Sequence, residues 1–316
     1  MFSSEKVNLM ILTTLRAFTR HYPFQQPRSS LLKRLPDVPN NFGEFEAKHG
    51  IKYISYPCGQ DYIVKNLFWF GDFETWITVV IGCLIRSGEV VCDIGANIGD
   101  TSFQILPYVG SSGHIYCFEP VPRLQECLMK NLKANHISCV TLIPKALSNS
   151  SGQLTMTVEL MQPGWSHIKK DDEDTTLSTL SEIKRSTHEN IKVDVTTFDL
   201  WLEESDISQV ALCKIDVEGH ELEVFEGMKK ALHKGKIGSI VFERHEDCNA
   251  TDPVVQLLES YNYKLFRIYK SFLKTKVVDL LSNRTYLRKT SDYVAVLKGS
   301  VFEERLSYLM KHSQKF

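Results

Sequence analysis

Several things are missing from this chain. Its 316 residues hold no CxxC pair, and the eight cysteines are scattered without regular spacing. Cys92, Cys117, Cys139 and Cys213 sit in strand-like apolar runs, where a thiol serves as a small core residue. This argues against a disulfide framework and for a reducing compartment. Neither charge prevails: 37 Lys and Arg face 38 Asp and Glu, a formal net charge of −1. No global field therefore steers the chain to nucleic acid or to an anionic membrane. The apolar run WITVVIGCLI (Trp76 to Ile85) is bounded by Glu74 and Arg86, well short of the ~20 apolar residues of a membrane span. VNLMILTTL (Val7 to Leu15) has the apolarity of a signal-peptide core, but it lacks a small-residue cleavage site and meets Arg16 and Arg20. A cytoplasmic location is expected. The N-x-S/T triplets at Asn149, Asn249 and Asn283 matter only if the chain enters the secretory pathway.

With 43% hydrophobic residues, the chain can bury the core of one large domain with an extension. Residues 1–45 read as an N-terminal extension: a short amphipathic stretch, then the breaker-rich PFQQPRSSLLKRLPDVPNN. A domain is expected over 46–300 and a C-terminal tail over 301–316. Within the domain, strand-like EVVCDI, HIYCFE, SCVTLIPKAL, VALCKID and IGSIVFE alternate with helical patterns. PRLQECLMKNLKAN, with Leu124, Cys127, Leu128 and Leu132 on one face, and HELEVFEGMKKAL are two of these. YKLFRIY and SDYVAVL close the series. Such alternation predicts a doubly wound α/β fold with a mostly parallel sheet, whose ligands bind beyond the carboxyl ends of the strands. Between the third and fourth strands lies an excursion, Ser148 to about Ile191. It includes QPGWSH and KKDDED, the latter read as a solvated loop.

Three places carry chemistry. In VVCDIGANIGD, Asp93 ends a strand, Gly95 and Gly99 flank Asn97, and Asp100 or Thr101 can cap the next helix. Glycines there admit a tight turn and a close ligand, and the exposed N–H groups favour a phosphate or carboxylate. The turn could equally be that of a generic doubly wound fold. It is neither the G-x-G-x-x-G of dinucleotide binders nor a P-loop. Glu119 ends the second strand where an acidic residue can accept both ribose hydroxyls, and Pro120 and Pro122 fix the turn beyond it. In KIDVEGHELEVFEGM, Asp216 ends the fourth strand facing the cleft. Glu218 and Glu221 suit a first helical turn, where they complement the dipole.

Taken in this order, DIGANIGD, CFEP and KIDVEGHELEV resemble the FkbM-type branch of class I S-adenosylmethionine-dependent methyltransferases. The resemblance runs from roughly Gly71 to Leu297, with FGDFE and VTTFDLWL also similar to the family's pattern. It implies a Rossmann-like, seven-stranded sheet with its last strand antiparallel, and S-adenosyl-L-methionine across the ends of the first strands. It further implies that the turn Asp93, Gly95, Ala96, Asn97, Gly99 and Thr101 passes the methionine part. Glu119 with Pro120 would hold the ribose, Ala146 and Leu147 would flank the adenine, and Asp216 would lie near sulfonium and acceptor. No Asn/Asp-Pro-Pro-Tyr follows the fourth strand, which tilts the acceptor towards oxygen.

The expected activity is O-methylation of a small-molecule or glycan-like acceptor, with no nucleic acid as partner. Candidates for the base are Asp216, Glu243 and His245. His245 has the pKa suited to neutrality, and it could also be an ordinary loop histidine. His220 reads as a neighbour. Asp216 with Glu243 could instead hold a divalent cation, but no third carboxylate is evidently placed, so no metal is expected. Trp165, Ser166 and His167 could meet a sugar or polyketide face, or Trp165 could anchor its own loop. The competing readings are a nicotinamide oxidoreductase on the same sheet, a nucleic-acid methylator, and a cofactor-binding module without catalysis.

Overall fold

The computed structural model describes residues 4–22, 28–39, 43–169, 188–245, 248–270, 275–280 and 291–312. Of KKDDED only Lys169 falls among them, and the triplet at Asn283 lies outside. In chain order the strands are β1 (Phe45–Glu46), β2 (Lys52–Tyr53), β3 (Val90–Ile94), β4 (His114–Phe118), β5 (Val140–Ile143), β6 (Ala146–Leu147) and β7 (Gly152–Glu159). They continue with β8 (His167–Ile168), β9 (His188–Thr196), β10 (Val210–Ile215), β11 (Ile237–Glu243), β12 (Tyr263–Lys270), β13 (Thr275–Asp279) and β14 (Asp292–Leu297). The helices are α1 (Ser4–Arg20), α2 (Arg28–Leu32), α3 (Tyr62–Phe70), α4 (Thr75–Leu84), α5 (Asp100–Val109) and α6 (Pro122–Ala134). After them come α7 (Phe198–Glu203), α8 (Glu221–Glu226), α9 (Lys229–His233), α10 (Pro253–Ser260) and α11 (Val301–His312).

VVCDI and VALCKI are apolar at successive positions because both faces of their strands are covered. Val91 and Leu212 pack into one core, and Cys92 and Cys213 into another on the opposite face. The sheet order is β13-β12-β14-β11-β10-β3-β4-β5. β5, β4, β3, β10 and β11 run parallel, and β14 lies antiparallel between β11 and β12. All seven strands expected from the sequence are present, the last antiparallel. An eighth, β13, is added at the edge against β12. Its TKVVD alternates buried Thr275 and Val277 with exposed Lys276, a pattern too short to stand out. The chain reverses its direction of winding between β3 and β10, the switch point where ligands of such sheets bind.

The excursion is not simply a loop. β7 and β9 pair antiparallel from Gly152↔Val195 to Glu159↔His188, and with β6 and β8 they form a second, four-stranded sheet. Met156 and Val158 point inward from β7, the period-2 signal of a half-buried strand. HELEVFEGMKKAL is likewise two short helices, α8 and α9, parted at Gly227 and Met228.

The first and last described helices are packed on the rest of the fold. Arg16 of α1 donates from Nε to the Phe68 carbonyl at 2.8 Å and lies 4.6 Å over the Phe68 ring. In α11, Phe302 and Leu306 are buried, and Arg305 grips Glu89 with two hydrogen bonds of 3.0 and 2.9 Å. Among the described residues no single helix is long and apolar enough to cross a membrane. α3 and α4 pass that test only as a pair bent by 82°, and both are built into the core.

Candidate active site

The turn after β3 is tied to its neighbours by backbone bonds. Gly95 and Ala96 both donate to the Phe118 carbonyl at 3.0 Å, and Asp216 N donates to Ile94 O at 3.0 Å. Gly95 has φ +81°, and a Cβ there would overlap the carbonyl oxygen of Asp216. At Gly99, φ +86°, a Cβ would run into Leu128 of α6. Both glycines therefore make room for protein. The β3 and β10 loops pass too closely for a side chain at Gly95, which still keeps its open face on the cleft described next.

Glu119 is buried at the end of β4. Its Oε2 accepts from Asn97 N and its Oε1 from Val121 N, both at 2.8 Å, so one carboxylate ties the glycine turn to the start of α6. Burial pushes its pKa up to about 7 despite these two donors. Beside it opens a cleft with about 570 Å³ of empty space, its open mouth included. Asn97, Glu119 and Asp216 supply its polar walls; Phe118, Leu147, Met156 and Ile168 supply an apolar slot.

Lys214 sits behind this wall, the one charged residue of β10 and almost wholly buried. The register sets it beside Asp93. Its Nζ lies 3.1 Å from Asp216 Oδ2 and 3.7 Å from Asp93 Oδ1. Burial works against its charge, but Asp216, Asp93, Glu74 and Asp100 outweigh that and raise its pKa well above the ordinary value. Asp93 Oδ2 accepts from Ser102 Oγ at 2.6 Å, while Oδ1 has no hydrogen-bond partner. Asp100 is buried too, and burial pushes its carboxyl up to about 7 against the pull of Lys214.

A second cleft adjoins the first, enclosing about 950 Å³. Asp216, Glu218 and Gly164 line both. Asp61, Glu74 and Glu243 add three more carboxylates, and Tyr62, Phe73 and Trp165 add aromatic faces. Burial pushes Asp61 up to about 6 and Glu218 up to about 7, and it raises Glu74 and Glu243. Neighbouring Asp292 is pushed up to about 7 by burial and then by Glu243, its partner across β11 and β14. His245 Nε2 pairs with Glu218 Oε2 at 2.9 Å, and this bond raises the histidine's pKa. Glu74, Asn97 and Glu218 all hold left-handed backbone, φ +46°, +52° and +51°. Such strain in non-glycine residues gathers at functional sites.

A turn roofs the junction. Asp61 accepts from Val64 N at 2.9 Å and also takes the Gly164 N–H. Gln162 accepts from Tyr62 N and donates to Gln60 O, both at 2.9 Å. The Gln162–Trp165 turn is thereby hung on the first residues of α3.

The structure gathers most of the expected site and disperses the rest. Gly95, Asn97, Glu119, Pro120, Ala146, Leu147 and Asp216 line the first cleft; Asp216, Glu243 and His245 line the second. Asp93, Ala96, Gly99 and Thr101 are buried or turned into the protein and line neither. The set Trp165, Ser166 and His167 is divided. Trp165 stands 59% exposed on the second cleft, so it does not anchor its loop. Ser166 Oγ accepts from Glu159 N, and His167 begins β8. His220 is more than a neighbour: it lines the first cleft and bonds Ser148 Oγ through Nε2 at 2.9 Å. Sequence reasoning missed Lys214, although a lone lysine in a six-residue apolar strand was a signal. It also missed Asp61 and Glu74, which the fold brings in from before the first strand of the eight-stranded sheet.

The family model "Methyltransferase FkbM domain" matches residues 93–265, more than half of the chain. The chain is 26% identical over 186 residues to "Hexuronic acid methyltransferase AglP" of Haloferax volcanii, covering 57% of this chain and 67% of that one. It is 27% identical over 181 residues to "Methyltransferase 1" of Beauveria bassiana, covering 55% and 71%. To "31-O-demethyl-FK506 methyltransferase FkbM" of Streptomyces tacrolimicus it is 29% identical over 203 residues, covering 58% and 75%. With that family model matched over more than half its length, the chain belongs to the FkbM methyltransferase family and uses S-adenosylmethionine.

Proposed function

We propose that the protein methylates a hydroxyl oxygen of a small-molecule or glycan-like acceptor, with the donor in the first cleft and the acceptor in the second. One observation carries this reading: Asp216 forms part of both clefts, so a group bound in each would meet at its carboxylate. The relatives support it in kind, since one is named for a hexuronic acid and another for a 31-O-demethyl substrate.

The chemistry of the first cleft fits S-adenosylmethionine. Its apolar slot, with Ala146 and Leu147, suits an adenine. Glu119 spends one lone pair of each oxygen on the backbone and retains others for the ribose hydroxyls. Gly95 and Asn97 would hold the amino-acid end, and Asp216, steadied by Lys214, would offset the charge of the sulfonium. The bound donor supplies an already activated methyl group.

The protein's remaining tasks are alignment and proton removal. Asp216 orients the acceptor hydroxyl. Glu243, whose affinity for a proton is raised by burial and then by Asp216, takes the hydroxyl proton as the oxygen accepts the methyl. His245, held by Glu218, stands next to it as the alternative base.

Calorimetry with S-adenosylhomocysteine, with NAD as control, tests the donor site; selective binding of the former is expected. Turnover on a panel of hydroxylated acceptors tests the rest. Glu243→Gln should lower kcat by about 10²–10⁴-fold with S-adenosylhomocysteine affinity unchanged, and turnover in the parent should rise with pH as Glu243 loses its proton. Full turnover in Glu243→Gln, together with loss in His245→Gln, would move the base to the histidine.

A further inference from the structure

The second cleft has a chemical bias that the reading above leaves unused. Five carboxylates line it: Asp61, Glu74, Asp216, Glu218 and Glu243. The cationic groups near them are already engaged. His245 is bonded to Glu218, and Lys214 lies buried behind Asp216, shared with Asp93. Lys270 lies over the Trp76 ring, and the Trp76 indole donates to Asp292 at 2.9 Å. The apolar part of the lining is mainly aromatic: Trp165 largely exposed, and Tyr62 edge-on to Phe73 with centroids 5.8 Å apart.

Resting on the proposed acceptor site, we infer that the acceptor is a hydroxyl compound carrying an organic cation, such as an amino alcohol or amino sugar, recognised between these carboxylates and aromatic faces. Carboxylates and exposed aromatic rings are the two kinds of group that attract an ammonium. An acceptor with a carboxylate or phosphate would meet like charge from the ionised carboxylates, with His245 the one cation in the lining to offset it. Among the described residues, no three His, Cys, Asp or Glu side chains converge as a metal site. The negative charge is spread along the cleft, which suits an extended organic cation better than a point ion. A protonated ammonium has no lone pair to methylate, so it serves as an anchor and leaves the hydroxyl as nucleophile.

The same charges give the binding a pH signature. Burial holds the proton on Asp61, and burial with repulsion from neighbouring carboxylates holds those on Glu74, Glu218 and Glu243, above the usual carboxylate range, with Asp292 behind them. Lys214, Lys270 and His245 are the opposing cations, with Arg123 acting on Asp61 from the start of α6. A bound cation favours the ionised carboxylates, so binding releases protons and tightens as pH rises from 6 to 8.

The test titrates matched compounds into the full chain saturated with S-adenosylhomocysteine, at low ionic strength, where the Debye length still exceeds ~10 Å. Glucosamine, N-acetylglucosamine and glucuronate form one series; ethanolamine, ethylene glycol and glycolate form another. Each cation should bind about tenfold more tightly than its anionic match, change tryptophan fluorescence, and release protons on binding. Glu218→Asn, with asparagine tolerant of the left-handed backbone there, should shrink that preference. A flat or reversed charge order, or no saturable binding of either cation up to the solubility limit, would overturn the inference. So would tight binding of magnesium or manganese that displaces the amines. If S-adenosylhomocysteine itself fails to bind, the fault lies with the donor site and the broader reading falls first. If turnover of a bound amino alcohol places the methyl on nitrogen, the anchoring role of the amine is refuted.

Discussion

Lys214→Met separates charge from packing at the centre of the site. Methionine keeps most of the apolar stem within β10 but removes the cation that Asp93 and Asp216 share at 3.7 and 3.1 Å. Breaking a buried ionic group by deleting one partner costs about 3–5 kcal/mol. At roughly 2.1 cal/mol/K per residue over 316 residues, that corresponds to a fall in Tm of about 5–8 °C. The sign with pH follows from the raised lysine pKa: its stabilisation is fully present below the unfolded value and persists up to the folded one. Across pH 5–8 the parent therefore retains this contribution. In the variant Asp100 and Glu74, whose raised carboxyls Lys214 pulls down in the parent, hold their protons more firmly, so losing the cation costs most at the higher pH. Calorimetric melts at the two pH values should show the larger Tm loss at pH 8. Equal losses at both would mean that Lys214 acts through packing alone, and the electrostatic account of the site would fail.

Other predictions rest on single contacts. Gly95→Ala should fold poorly or lose more than about 3 kcal/mol, because its methyl group meets the Asp216 carbonyl at positive φ; a soluble variant with the parent's Tm would show that the loops can separate. Glu119→Gln replaces one acceptor oxygen with a donor facing a backbone N–H. It should weaken S-adenosylhomocysteine binding by about 10–100-fold, and unchanged affinity in calorimetry would remove Glu119 from the donor site. Asp100→Asn should raise Tm at pH 8 and leave it nearly unchanged at pH 4. The folded carboxyl pKa is raised to about 7, so its stability contribution is lost as pH climbs from the unfolded value through 7.

How much of this could be read from the chain depended on whether a group's partners were near it in sequence. DIGAN, FEP and KID each place a carboxylate at the end of an apolar strand, and a parallel sheet aligns such ends along one edge. Hence Glu119 and Asp216 were legible. Asp93 was misread by one layer: it precedes the strand end by one residue and so points inward, to Ser102 and Lys214. Asp61 and Glu74 belong to helix α3 and the turn after it, and nothing local announces that these fold over the β10 and β11 edge. The β7–β9 hairpin was hidden because its second strand lies beyond a long insertion. Trp165 shows the same limit: an exposed tryptophan and a loop anchor look identical until the neighbouring wall is known.

The overlap avoided at Gly95 has a mechanical consequence. With the Asp216 carbonyl pressed against it and the Ile94 and Phe118 carbonyls bonded across, the ends of β3, β4 and β10 behave as one plate. Neither cleft can widen by moving its floor. Any breathing that admits substrate and frees product must come from the opposite side, where the Gln162–Trp165 turn hangs from α3 by a few hydrogen bonds to Asp61, Tyr62 and Gln60. Substitutions that loosen Gln162 should therefore change the off-rate of S-adenosylhomocysteine and leave the alignment of the reacting groups intact.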